Sequence, residues 1–211
     1  MTNIQGIKLK DNIVTFTGPP DSGKSNLVKY MLSLDAYANH MVYDPLFGFD
    51  PDEHDVIRPP NKKTKWRRYE HGNADLNEAA DRFVLDADAG VRPDYFVIDE
   101  AGRLLPNQKP EGGAMGELND FNAHLGVSVW LVGQRFQQLN SDFKNKATHH
   151  FVMGYKGKND KNYLTDIHED APEAIDRAKE RWGQYAFVHI GPNGSLHELK
   201  PVPEMGAKSK I

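Results

Sequence analysis

The strongest constraint on this chain is a short run of glycines and polar residues, Gly18-Pro19-Pro20-Asp21-Ser22-Gly23-Lys24-Ser25, set between two apolar patterns of different period. Before it lies Ile13-Val14-Thr15-Phe16, a β-rich run that reads as a strand. After it, Leu27, Val28, Met31 and Leu32 recur at helical spacing. Strand, glycine loop and helix, in that order, are what a Gly-x4-Gly-Lys-Ser phosphate loop requires. Glycine lets the backbone turn so that successive N–H groups face phosphate oxygens, and the helix adds its positive N-terminus. Lys24 is expected to hold the β and γ phosphates and Ser25 to place its hydroxyl on Mg2+, with Gly18, Pro19, Pro20, Asp21, Ser22, Gly23 and Asn26 completing the cradle.

The rest of the chain repeats the alternation. A second strand is predicted at Met41-Val42-Tyr43, ending at Asp44-Pro45, and residues 47–68, rich in Pro, Asp and Lys, read as a long irregular excursion. Leu76, Ala79, Ala80, Phe83 and Val84 form a helical stripe, and Tyr95-Phe96-Val97-Ile98 is a continuous apolar run of the kind a fully buried strand shows. Residues 103–116 contain two prolines and several glycines and are expected to form a loop, followed by helix at 115–125 and a buried strand at 127–132. The last third predicts a strand at Phe151-Val152-Met153, helices near 163–168 and 172–182, and a hairpin of 185–190 with 196–202 turning at Gly191-Pro192-Asn193-Gly194. The expected fold is α/β, a mainly parallel central sheet flanked by helices with a C-terminal β-hairpin, in a single domain over residues 1–211.

Two strand ends carry further chemistry. Asp99 and Glu100 close the 95–98 run, and in open α/β sheets ligands bind at the carboxyl ends of strands. Asp99 is expected to hold Mg2+ through its water shell. Glu100 can aim at the γ-phosphate once the strand ends, where it would orient and deprotonate the attacking water. Gln134 closes the next strand, and its neutral amide can touch the γ-phosphate or the lytic water without repelling either.

Composition excludes several classes. Hydrophobic residues make up 38% and charged residues 27%, with a formal net charge of -4, so this is neither a disordered chain nor a uniformly basic coat for nucleic acid. There is no cysteine, so neither disulfides nor thiol chemistry contribute. No run approaches the roughly 18 apolar residues of a membrane span, and the N-terminus lacks the apolar core of a signal peptide, which predicts a cytoplasmic protein.

Taken together, the phosphate loop, Tyr43-Asp44-Pro45, Val97-Ile98-Asp99-Glu100-Ala101 and Trp130-Leu131-Val132-Gly133-Gln134-Arg135 resemble the successive motifs of the FtsK-HerA superfamily of P-loop ATPases, and particularly its viral genome-packaging branch. The resemblance covers roughly residues 10–155. Phe136 stands where cellular members usually have proline, which points away from the pilus and chromosome-segregation branches. The resemblance implies a RecA-like sheet with an additional-strand catalytic glutamate, ATP and Mg2+ as cofactors, and a homo-oligomeric ring, a hexamer, that pumps double-stranded DNA through its pore. It further implies work in the host cytoplasm or on the virion, docked at a capsid vertex or a membrane protein. The other readings are a different P-loop NTPase, recombinase-like or of the plasmid and conjugative HerA type, and a nucleotide-gated assembly protein; the latter has no use for Glu100.

Basic residues supply candidate contacts in such a ring. Lys62-Lys63-Thr64-Lys65-Trp66-Arg67-Arg68 has five cations in seven residues and can be a phosphate-binding patch, a solvated loop, or the source of an arginine finger reaching a neighbour's ATP. Arg82, Arg103 and Arg135 are further finger candidates, and Arg103 and Lys109 lie on the expected pore loop. Asp50, Asp52, Glu53 and Asp55 lack the glycine and terminal glutamate of a calcium loop, and His149, His150, His168, His189 and His197 lack zinc-ligand spacing.

Overall fold

Side chains alternate across a strand, so each buried strand of this chain must feed two cores, one on each face of its sheet. A computed structural model of the chain describes residues 4–34, 40–45, 67–71, 76–88, 94–105 and 112–205. Its elements in order are β1 (Ile13–Thr17), α1 (Lys24–Leu34), β2 (His40–Asp44), β3 (Arg67–His71), α2 (Leu76–Asp88), β4 (Tyr95–Ile98), α3 (Ala101–Leu104) and α4 (Gly113–Leu125). There follow β5 (Ser128–Gly133), α5 (Ser141–Lys146), β6 (His149–Val152), α6 (Gly157–Ile167), α7 (Ala171–Trp182), β7 (Phe187–Ile190) and β8 (Leu196–Leu199).

The described strands form one eight-stranded sheet in the order β3-β2-β4-β5-β1-β6-β7-β8. Pairings from β3 through to β6 are parallel, and β6-β7 and β7-β8 are antiparallel. On one face Met41, Phe96, Ile98, Val129 and Leu131 pack against Phe83 of α2 and Met115 and Leu118 of α4. On the other, Val14, Phe16, Val42, Val97, Trp130 and Val132 pack against Leu27, Val28 and Met31 of α1. A third cluster joins Val152, Val188 and Ile190 to Leu164 of α6 and Ile175 of α7. Phe16 anchors the second face, stacked on Phe151 at 5.0 Å and tilted against Trp130 at 5.2 Å. Burying each such side chain contributes about 1.5–3 kcal/mol. Among the described residues no helix is long and apolar enough to cross a membrane.

Several sequence expectations need correction. The excursion expected over 47–68 gives way at Arg67 to β3, an edge strand beside β2. Among the described residues β3 pairs only with β2, and its sequence, Arg-Arg-Tyr-Glu-His, has no apolar run to mark a strand. The loop expected over 103–116 is helical at both ends, with Arg103 in α3 and α4 already begun at Gly113. His149 and His150 lie inside β6 rather than before it. Helix α6 starts at Gly157, well ahead of the predicted 163, and α5 was not predicted.

Candidate active site

The phosphate loop leaves β1 at Thr17 and enters α1 at Lys24. Gly18 is required by space: a Cβ there would sit 2.8 Å from Ser22 Oγ and 3.0 Å from Met153 Cβ. Asp21 and Gly23 both take positive φ, 57° and 94°, so the chain curls back on itself before the helix. Lys24 Nζ lies inside that curl and donates to the carbonyls of Gly18 and Pro19, each at 2.8 Å. Burial pushes the Lys24 ammonium below its ordinary value, while the charges of Asp99, Glu100 and Asp21 oppose that shift.

This cradle fits a polyphosphate. N–H groups in the first turn of α1 have no acceptor within the helix. Ser22 Oγ and Thr17 Oγ1 are buried with no hydrogen-bond partner among the described residues. The Asn26 side chain donates to Pro203 O at 3.0 Å and accepts from Met205 N at 2.7 Å, so the side chain anchors the C-terminal segment and the residue's N–H is what it can offer the cradle.

The strand order β4-β5-β1 places three distant stretches of chain side by side. Neighbouring strands lie about 4.8 Å apart, so the carboxyl end of β4 is two strands from the phosphate loop, with Gln134 after β5 between them. Asp99 is 8% exposed, and its N–H donates to Tyr43 O at 2.9 Å, binding the end of β4 to β2. Burial raises its carboxyl to about 6, with Asp44 and Glu100 adding repulsion and the Glu100 backbone and Lys24 opposing. Asp44 itself is fully buried at the end of β2. The sequence put it on a strand end but assigned it no role.

Glu100 has φ 52° and ψ 34°, a left-handed conformation that is unfavourable for any residue but glycine. There the chain leaves the strand direction and turns into α3, with Arg103 N and Leu104 N donating to Glu100 O. The turn takes the Glu100 side chain off the strand period, where Gln134 Nε2 donates to its Oε1 at 3.4 Å.

The remaining candidates are spread. Arg135 Nε is 4.0 Å from Asp160 Oδ2, and that buried carboxylate also accepts from Gln137 Nε2 at 3.0 Å and Lys156 N at 2.9 Å. Arg82 lies on α2, its Nε donating to Glu78 O at 3.3 Å. Arg103 is exposed on α3, three residues beyond Glu100. Arg67 and Arg68 lie on β3, but their side chains, together with Lys62, Lys63, Lys65 and Lys109 and the acidic residues Asp50, Asp52, Glu53 and Asp55, fall outside the described residues. His149, His150 and His189 are buried in the antiparallel half of the sheet. Among the described residues no three His, Asp or Glu side chains gather as a metal-binding group.

A mainly parallel sheet carrying a glycine phosphate loop after a central strand, with a glutamine and an acidic pair at the ends of the next two strands, defines the P-loop fold. Solved structures with this fold include the genome packaging NTPase B204 from Sulfolobus turreted icosahedral virus 2 in complex with ATP-gammaS. It matches with a TM-score of 0.74 and 20% identity, over 92% of this chain and 98% of that one. B204, the DNA-packaging ATPase from Sulfolobus turreted icosahedral virus, matches at 0.75 and 20% identity over 93% and 100%. The pCW3 conjugation coupling protein TcpA, in monomer form with ATPgS, matches at 0.60 and 12% identity, over 90% of this chain and 60% of that one. No protein-family model matches the sequence, and no curated protein does.

Proposed function

We propose that this protein is an ATP-hydrolysing DNA translocase of the viral genome-packaging type. The observation that carries the reading is the match in fold to a genome packaging NTPase across 92% of this chain and 98% of that one. Its conjugative counterpart among the solved structures is matched over only 60% of its length.

In this reading Lys24 exchanges its bonds to Gly18 and Pro19 for the β and γ phosphates, and the N–H groups of the loop and first helical turn hold the rest. Ser25 and Asp99 would hold Mg2+, which supplies charge neutralisation on the phosphates when bound. Glu100 takes the proton of the attacking water, and Gln134, already hydrogen-bonded to it, orients that water or touches the γ-phosphate.

Subunits assemble as a homo-oligomeric ring, a hexamer, around double-stranded DNA, docked at the capsid in the host cytoplasm. Of the candidate arginines with described side chains, Arg103 is the best placed to reach a neighbour, being exposed and three residues beyond Glu100, whereas Arg135 faces Asp160 of its own chain. The test is steady-state ATP hydrolysis with and without long double-stranded DNA at low salt, with Glu100→Gln as the blank. Stimulation that vanishes in the variant is expected; hydrolysis unmoved by DNA would overturn the translocase reading.

A further inference from the structure

The hairpin at the end of the chain has a consequence for the nucleotide site. β7 runs antiparallel to β6 and β8 returns alongside it, with Leu199 opposite Phe187 and Val188 opposite Val152. The chain therefore leaves β8 at the same end of the sheet as the phosphate loop. There residues 201–205 cross the start of α1 as a strap, fastened by the two bonds from the Asn26 side chain to Pro203 O and Met205 N. Asn26 is only two residues beyond Lys24, so the strap is tied to the phosphate-binding helix itself.

Between strap and loop lies a cavity of about 460 Å³ whose lining includes Gly23, Met153, Tyr185, Glu204 and Met205. Ligand pockets begin at about 300 Å³, so it has room for a base and sugar. The Tyr185 ring lies against the loop, its Cδ1 3.3 Å from the position a Cβ on Gly23 would take, yet the residue is 53% exposed. A large aromatic surface left half open beside a phosphate loop offers a flat face for stacking. Met205 and Val202 contribute apolar surface, and the Glu204 carboxylate is an acceptor suited to an exocyclic amino group.

We propose that this cavity seats the purine base and ribose of the nucleotide, with Tyr185 as the stacking platform and the 201–205 strap as the wall. The proposal rests on the phosphate-loop reading above. Because Gly23 belongs both to the loop and to the cavity, a nucleotide with its phosphates on Lys24 enters this space with its base. Geometry also accounts for the Asn26 side chain: it supports the base pocket by holding the strap, while the N–H of the same residue faces the phosphate loop's ligand.

The experiment is calorimetric titration of the full chain with ATP and, separately, with inorganic tripolyphosphate, which has the phosphates but no base. Tyr185→Ala is expected to weaken ATP binding about tenfold while tripolyphosphate affinity stays within about twofold, and Tyr185→Trp to preserve ATP binding. Asn26→Ala should weaken ATP selectively as well. Unchanged ATP affinity in Tyr185→Ala, or equal loss for both ligands, would overturn the base pocket. Lys24→Ala reports on the phosphate loop alone and should weaken both ligands; if it changes neither, the underlying reading fails whatever Tyr185 does.

Discussion

The side-chain amide of Gln134 donates to the carboxylate of Glu100 across 3.4 Å, joining the ends of two adjacent parallel strands. The pair is 34 residues apart in sequence and meets only because β4 and β5 are neighbours and Glu100 turns out of the strand. A carboxylate held by a neutral donor is steered, which is what a general base acting on one water needs.

Glu100→Gln should therefore retain ATP binding and lose turnover by about 10²–10⁴-fold. Phosphate release under saturating ATP, with binding measured by titration, checks both halves. Near-normal turnover by the purified variant would remove Glu100 from the base role.

Backbone strain at the same residue predicts an opposite effect on stability. Glu100→Gly relieves the left-handed conformation at φ 52° and is expected to stabilise the fold by about 1 kcal/mol, raising Tm by about 2–4 °C, while hydrolysis is abolished. Glu100→Val, β-branched at positive φ, should lower Tm. Differential scanning calorimetry of the two variants separates strain from chemistry.

At the other side of the site, Gly18→Ala adds a methyl group that would meet Ser22 Oγ and Met153 Cβ at 2.8 and 3.0 Å. The loop must shift, and a displacement of even about 1 Å at a reacting centre can lower turnover about a hundredfold. Steady-state kinetics should show that loss with an unchanged circular dichroism spectrum.

Acid sensitivity is expected from the histidines of the antiparallel strands. Burial lowers His189 to about 3 and His150 to about 4, with neighbouring imidazoles adding to both, and burial lowers His149. His149 Nδ1 and His189 Nε2 share a hydrogen bond of 2.9 Å, and His150 Nδ1 shares one of 2.8 Å with Thr15 Oγ1. These rings stay neutral in the folded protein while the unfolded chain takes up protons near pH 6.5. Their contribution is thus intact above about pH 6.5 and is lost progressively as pH falls toward 4 and then 3. Urea midpoints should fall across that window. His189→Phe, which keeps the stack on Phe151, should flatten the slope at a cost of about 1 kcal/mol for the partner lost by His149.

If the basic run contacts DNA, neutralising Lys62, Lys63 and Lys65 together should weaken binding and reduce the slope of log affinity against log salt by up to about three. Filter binding across a salt series measures it. An unchanged slope would return the run to a solvated loop.

Much of the molecule is legible before folding. Buried parallel strands must be apolar on both faces, so Ile13–Thr17, Tyr95–Ile98 and Ser128–Gly133 stand out as continuous runs, and each is followed directly by the residues of the site. The glycine loop identifies itself because its chemistry is local, one turn and the first residues of one helix. Local period also marks the closing hairpin, though its strands are shorter than expected. Strand β3 is illegible for the converse reason, a polar edge strand having no apolar signature.

What only the tertiary structure decides is adjacency, because strand order is set by long-range packing that no window of sequence contains. It brings Gln134 to Glu100 and sets Asp44 beside Asp99. The same packing lays Asp160 against Arg135 and returns residues 201–205 to the start of the helix after Lys24. The left-handed turn at Glu100 belongs to the same class: its intrinsic preference runs the other way, and the packing of α3 between the strand ends and the 3-10 turn Phe136–Gln138 imposes it. Sequence alone thus determines the parts and their chemistry, and the closing of the sheet determines which of them can act on one another.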